Sequence, residues 1–154
     1  MEEYRLGGLI SYLGRAQSAF YTKRVEPYHI SYGQFPFLMA LYRENGLTQE
    51  TIAKRLLFNK ATITRAIDKL EREGYVQRVP DKSDRRANRI FLTPKGRQIE
   101  PVIVELAREW NSILVAEFSE VELMALKEFM KKIVSNVMRE MKQEDMMVLS
   151  HLMR

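Results

Sequence analysis

Apolar residues recur every three to four positions over most of this chain and every second position over one short stretch. Leu6, Leu9, Ile10, Leu13, Ala16 and Phe20 form a helical stripe of about four turns between Met1 and Glu26. Gly7, Gly8 and Gly14 weaken that helix by roughly 1 kcal/mol each relative to alanine, so packing must compensate. Pro27 to Ile30 reads as a connector. Ser31 followed by Gln34 is a capping box, and Phe35, Leu38, Met39 and Tyr42 then give a second helix its buried stripe until Asn45-Gly46 ends it. Pro36 lies so close behind the cap that its missing N–H costs no intrahelical bond.

The central stretch is the most strongly patterned. Thr48 to Leu57 forms a short helix, Phe58-Asn59 a tight connection, and Asn59 to Gly74 a second helix with a good cap at each end. Ile63, Ala66, Ile67 and Leu70 line one side of it. Ala61, Arg65, Asp68 and Arg72 occupy the other, flanked by Lys60, Thr62, Thr64 and Lys69. Two short helices, a turn and a basic, hydroxyl-bearing second face describe a helix-turn-helix. Tyr75 to Val79 and Arg89 to Leu92 alternate like paired strands around the polar turn Pro80 to Ala87, and a hairpin directly after a recognition helix is a wing. The expected fold is mainly α with a small β-wing: a winged helix-turn-helix with flanking N- and C-terminal helices.

Beyond the wing, Thr93-Pro94 caps a long helical pattern through Ile99, Val102, Ile103, Leu106, Trp110, Ile113 and Leu114, which Pro101 should kink. Ser119 and Glu122 form another capping box, opening a helix expected to bury Leu123, Leu126, Met130, Ile133, Val137 and Met141. Met146, Met147, Val148, Leu149, Leu152 and Met153 crowd the last nine residues, a density that suits an interface.

Charge changes the picture more than composition does. The chain is +5 overall, yet residues 47–97 hold 13 Lys/Arg against 6 Asp/Glu, and the remainder 12 against 14. The excess of +7 therefore lies in the segment that the pattern assigns to phosphate contact. There is no cysteine, only His29 and His151, and no glycine-rich phosphate loop, so thiol chemistry is excluded and an enzyme, a zinc sensor or a resident cofactor is not expected. No apolar run reaches a membrane span and no signal-peptide pattern opens the chain, so a soluble cytoplasmic protein is expected, with no membrane partner.

Four runs taken together resemble the multiple-antibiotic-resistance regulator (MarR) family. They are Leu-Thr-Gln-Glu-x-Ile-Ala at 47–53, Thr-x-Thr-Arg-Ala-Ile-Asp-Lys-Leu-Glu-x-x-Gly-Tyr-Val-x-Arg at 62–78, Asp-x-x-Asp-Arg-Arg-Ala at 81–87 and Leu-Thr-Pro-x-Gly at 92–96. They span about a third of the chain, and the wing motif with its spacing to Leu92-Thr93 is the most specific part. The resemblance implies one domain over residues 1–154, with dimerisation helices at 1–26 and 98–154 and a DNA-binding winged helix-turn-helix at 31–97. It implies a homodimeric regulator on a pseudo-palindromic operator, commonly a repressor released by a small effector. The competing class is a winged-helix dimer serving as a protein-interaction or ligand-binding module; the concentrated positive charge argues against it.

Residue types assign the contacts. Thr62, Thr64 and Arg65 sit at the start of the recognition helix, where side chains reach base edges, and Lys60 and Lys69 suit phosphates. Arg86 matches the wing arginine that enters the minor groove in the family, in keeping with the negative potential of narrow A·T grooves. Arg85 suits a phosphate, or the wing through Asp84 or Asp81. Asp68 repels phosphate and so calls for a cationic partner; paired with Arg78 or a wing arginine it fixes the wing to the helix. Family effectors are aromatic acids bound where the dimerisation helices meet the winged region, which nominates Tyr12, Arg15, Tyr32 and Phe35.

Overall fold

The computed structural model describes residues 5–84 and 86–140; Arg85, Met141 and the Met-rich tail lie outside the described residues. Helix α1 (Leu6–Val25) runs into two single 3₁₀ turns, Glu26–Tyr28 and Tyr32–Gln34, the second carrying the Ser31–Gln34 capping box. Then follow α2 (Phe35–Arg43), β1 (Leu47–Thr48), α3 (Gln49–Leu56), α4 (Lys60–Arg72), β2 (Val76–Pro80) and β3 (Asn88–Leu92). Helices α5 (Pro94–Gln98), α6 (Glu100–Val115) and α7 (Glu120–Glu140) complete the described chain. The fold is a mainly helical winged helix-turn-helix with a small antiparallel sheet.

The core sits behind α4. Ile63, Ile67 and Leu70 of α4 are fully buried with Phe37, Leu38 and Leu41 of α2, Ile52 of α3, Ile90 of β3 and Ile103 of α6. Helix α4 closes in a Schellman turn: Gly74 is left-handed (φ +77°) and Tyr75 N–H donates to Leu70 O over 2.8 Å. Leu57, in the helix-turn-helix turn, is also left-handed at φ +57°, a conformation that costs a residue with a Cβ roughly 1–2 kcal/mol. The α3–α4 corner is held against that cost by the packing around it.

The sheet has a third strand that the pattern does not predict. Its order is β1-β3-β2, with Leu47 opposite Ile90, which in turn faces Arg78. Two residues are too short to show alternation. What installs β1 is Gly46, left-handed at φ +82° and so close under Phe91 that a Cβ would lie 2.6 Å from the ring.

Two further differences concern the C-terminal half. Pro101 does not kink one long helix; the helix ends at Gln98 and a new one starts at Glu100, with Pro101 in its first turn. Pro101 has no N–H to give Arg97, so the break falls where proline is tolerated. Helix α7 was expected to bury its stripe, yet none of its residues is buried, and Met130 and Val137 are 44% and 49% exposed. Leu6, Leu9, Ile10 and Leu13 of α1 are likewise exposed. These faces find no cover within the described residues of one chain. No described helix is long and apolar enough to cross a membrane.

Candidate nucleic-acid interface

Asn59 starts the recognition helix: its side-chain oxygen accepts the Thr62 N–H at 2.8 Å, fixing the first turn. With the core on one side, Lys60, Ala61, Arg65, Asp68 and Arg72 are exposed, and Thr62, Thr64 and Lys69 are half-buried on the flanks. Arg65 folds back along the helix, Nε donating to Ala61 O at 3.4 Å. The Thr64 hydroxyl donates to Lys60 O at 2.9 Å and accepts from Gln49 Nε2 of α3 at 3.3 Å.

The wing is tied to this helix through Arg78. Its Nη2 meets Asp68 Oδ1 at 2.5 Å, its Nη1 meets Glu71, and its backbone N–H donates to Glu71 Oε1 at 3.0 Å. Sequence reasoning named Asp68 and missed Glu71. The signal was there: residues three apart share a helix face, so a cation reaching one carboxylate reaches the other.

Asp81, also overlooked as a centre of the wing, holds its turn together. Its side chain is only 5% exposed. Oδ1 accepts from the hydroxyl and N–H of Ser83 and from the N–H of Asp84, while Oδ2 accepts Arg89 Nε at 2.5 Å. Arg89 also reaches Gly46 O at 2.9 Å, pinning the wing root to the α2–β1 corner. The Ser83 hydroxyl and N–H, with the Asp84 N–H and Arg89, hold the Asp81 carboxyl well below the usual carboxylate range. Its contribution is complete above about pH 4 and is lost only as the pH falls through that lowered value. Asp84 Oδ1 in turn accepts the Arg86 N–H at 2.9 Å, and the Arg86 side chain is exposed. The arginine that answers Asp81 is therefore Arg89; Arg85 lies outside the described residues.

A cavity of about 530 Å³ opens between α1 and the flank of α4, lined among others by Ser18, Thr22, Tyr32, Gln34, Thr62, Arg65 and Lys69. Gln34 is 2% exposed; its Oε1 serves the Ser31 cap at 2.7 Å, and its Nε2 has no hydrogen-bond partner among the described residues. Of the residues nominated for a ligand, Tyr32 lines this cavity. Phe35 is buried against Tyr21, while Tyr12 and Arg15 are exposed on α1 and do not line it.

Comparison with known proteins places this geometry. The MarR family model matches residues 30–87. A MarR transcriptional regulator from Methanosarcina mazei Go1, known as a crystal structure, is 43% identical; the match covers 88% of this chain and 98% of that one, with a TM-score of 0.81. A transcriptional regulator from Listeria monocytogenes assigned to the MarR family and complexed with 26mer DNA is 25% identical, over 95% and 93% of the two chains, with a TM-score of 0.82. The HTH-type transcriptional regulator YybA of Bacillus subtilis (strain 168) is 24% identical over 85% of this chain and 87% of its own.

Proposed function

The chain belongs to the MarR family of DNA-binding transcriptional regulators, and on that premise we propose that it is a homodimeric repressor of pseudo-palindromic operators, released by a small aromatic anion. The observation that carries the operator reading is the recognition helix itself. Its exposed face takes no part in the core, and its wing is held to it by the Arg78 fork. Thr62, Thr64 and Arg65 read bases, Lys60 and Lys69 hold phosphates, and Arg86 enters the minor groove. Arg85, the preceding residue in the sequence, adds a phosphate contact. Asp68 and Arg78 set the angle between the two reading elements.

The two arginines should fail differently. Arg65→Ala should cost ~1–3 kcal/mol and relax preference at one base pair per half-site. Arg86→Ala should lose the preference for narrow, A·T-rich flanks instead. Half-sites should lie about one turn apart, ~34–36 Å. Binding selections on a random duplex library with both variants check this; an unchanged flanking preference in Arg86→Ala would reduce the wing to a phosphate clamp.

The dimer is supported by the exposed large apolar residues along α1 and α7, among them Leu6, Leu9, Leu13, Met130 and Val137, which a second copy would cover. Residues 1–26 and 98–154 supply the interface and residues 31–97 the DNA-binding region. Sedimentation at micromolar concentration should give a dimer; a stable monomer would overturn the arrangement. Release by an effector is supported by the cavity, where an anion meets Arg65, Lys69 and the Gln34 amide, which has no partner among the described residues. Benzoate should displace a bound duplex, and Gln34→Leu should blunt that displacement. Repression follows the commoner behaviour of the family; transcription from an operator-bearing promoter should fall when the protein is added.

A further inference from the structure

We propose that Thr64 reads a thymine through its methyl group, and that Gln49 is the positioning residue that holds its hydroxyl turned towards α3. The inference rests on the reading that α4 enters the major groove. A threonine hydroxyl has one proton and two lone pairs. Lys60 O only accepts, so the proton of Thr64 goes there, at 2.9 Å. The amide of Gln49, 3.3 Å away, must then present Nε2 and take one lone pair. A hydroxyl so engaged has no proton for guanine O6, purine N7 or thymine O4, the acceptors that mark the major-groove edges. What Thr64 has left for a base is one lone pair, which can accept only from adenine N6 or cytosine N4, and a methyl, whose apolar counterpart in that groove is the C5 methyl of thymine.

Thr64 lies half-buried on the α3 flank of α4, one residue before Arg65. Gln49 is the first residue of α3, whose own start is fixed by the Thr48 cap on Thr51 N–H at 3.1 Å. The hydroxyl is thus held from two sides, by the Lys60 carbonyl and by the side-chain amide of Gln49. Thr62 differs, since among the described residues its N–H is taken by Asn59 while its hydroxyl carries no bond.

The experiment begins with a duplex selected from a random pool by the wild-type protein, in which each thymine is then replaced singly by deoxyuridine. Uracil keeps every hydrogen-bonding group of thymine and lacks only the methyl. At one position per half-site the replacement should weaken wild-type binding about four-fold, the effect of one buried methyl. Thr64→Val should bind within about two-fold of wild type and stay sensitive to uracil at that position. Thr64→Ser should bind about four-fold more weakly and be indifferent to it. Gln49→Ala should bring the thymine-to-uracil ratio there towards one, with the salt slope and melting temperature unchanged. If deoxyuridine is silent at every position in a duplex that binds specifically, or if Thr64→Val loses as much as Thr64→Ser, the methyl reading is overturned while operator binding stands. If no duplex is selected, operator binding fails, and this inference with it.

Discussion

Affinity for an operator duplex is expected to fall by about 10³–10⁵-fold between 50 and 200 mM salt, the response of six to ten phosphate contacts. Residues 47–97 carry 13 lysines and arginines, but the structure commits several of them elsewhere. Arg78 serves Asp68 and Glu71, Arg89 serves Asp81, and Lys54 and Arg55 pair with Glu50 and Glu44. Lys95 donates to Glu73 O and lies over the Tyr75 ring. Lys60, Arg65, Lys69, Arg72, Lys82, Arg86 and Arg97 make no ion pair among the described residues. If roughly half of these reach phosphates in each protomer, a dimer makes the required number. Anisotropy titrations at several salt concentrations should give a log–log slope of about −0.9 per phosphate. A flat response would mean that this charge does not face DNA.

Gly96→Ala is expected to destabilise the fold by about 3 kcal/mol, at the upper end of ordinary overpacking. A Cβ there would sit 2.1 Å from Tyr75 O and 3.1 Å from its carbonyl carbon, and neither is a flexible side-chain end. The surroundings are bound from several directions. Thr93 N–H donates to Tyr75 O at 3.0 Å, the Thr93 hydroxyl to Gly74 O at 2.6 Å, and the Tyr42 hydroxyl to Gly96 O at 3.0 Å. Helix α5 therefore cannot back away without breaking the junction between the recognition helix and β2. Urea denaturation should show the midpoint shift without a change of slope. A loss under about 0.5 kcal/mol would mean that the junction relaxes freely.

The same junction shows what the sequence makes legible. Leu-Thr-Pro-x-Gly is visible as a motif, and its Thr93 cap on Gly96 N–H follows from local chemistry. That Gly96 must be glycine because of Tyr75, 21 positions earlier, does not follow, because the contact is tertiary. Helix α4 was readable from both caps and its stripe, and so was the hairpin that follows it. Strand β1 was not, since pairing partners 43 residues apart leave no local trace in two residues. Asp81 and Arg89 read as turn and strand polar residues until the hairpin brings them together. Periodicity that continues across Pro101 predicts a kink; the backbone instead uses the proline to begin a new helix.

One property of α4 reaches beyond a single protein. Its packing is carried by Ile63, Ile67 and Leu70, so Ala61, Arg65 and Arg72 can drift in a lineage with little effect on folding. Binding preference is then free to wander one base pair at a time while the scaffold stays under selection. Asp68 is the exception on that face. It shares Arg78 with Glu71, so a change at any of the three alters the setting of the other two. Retargeting by gene duplication should therefore be quick at 61, 65 and 72, and at 68 should come only in company with 71 or 78.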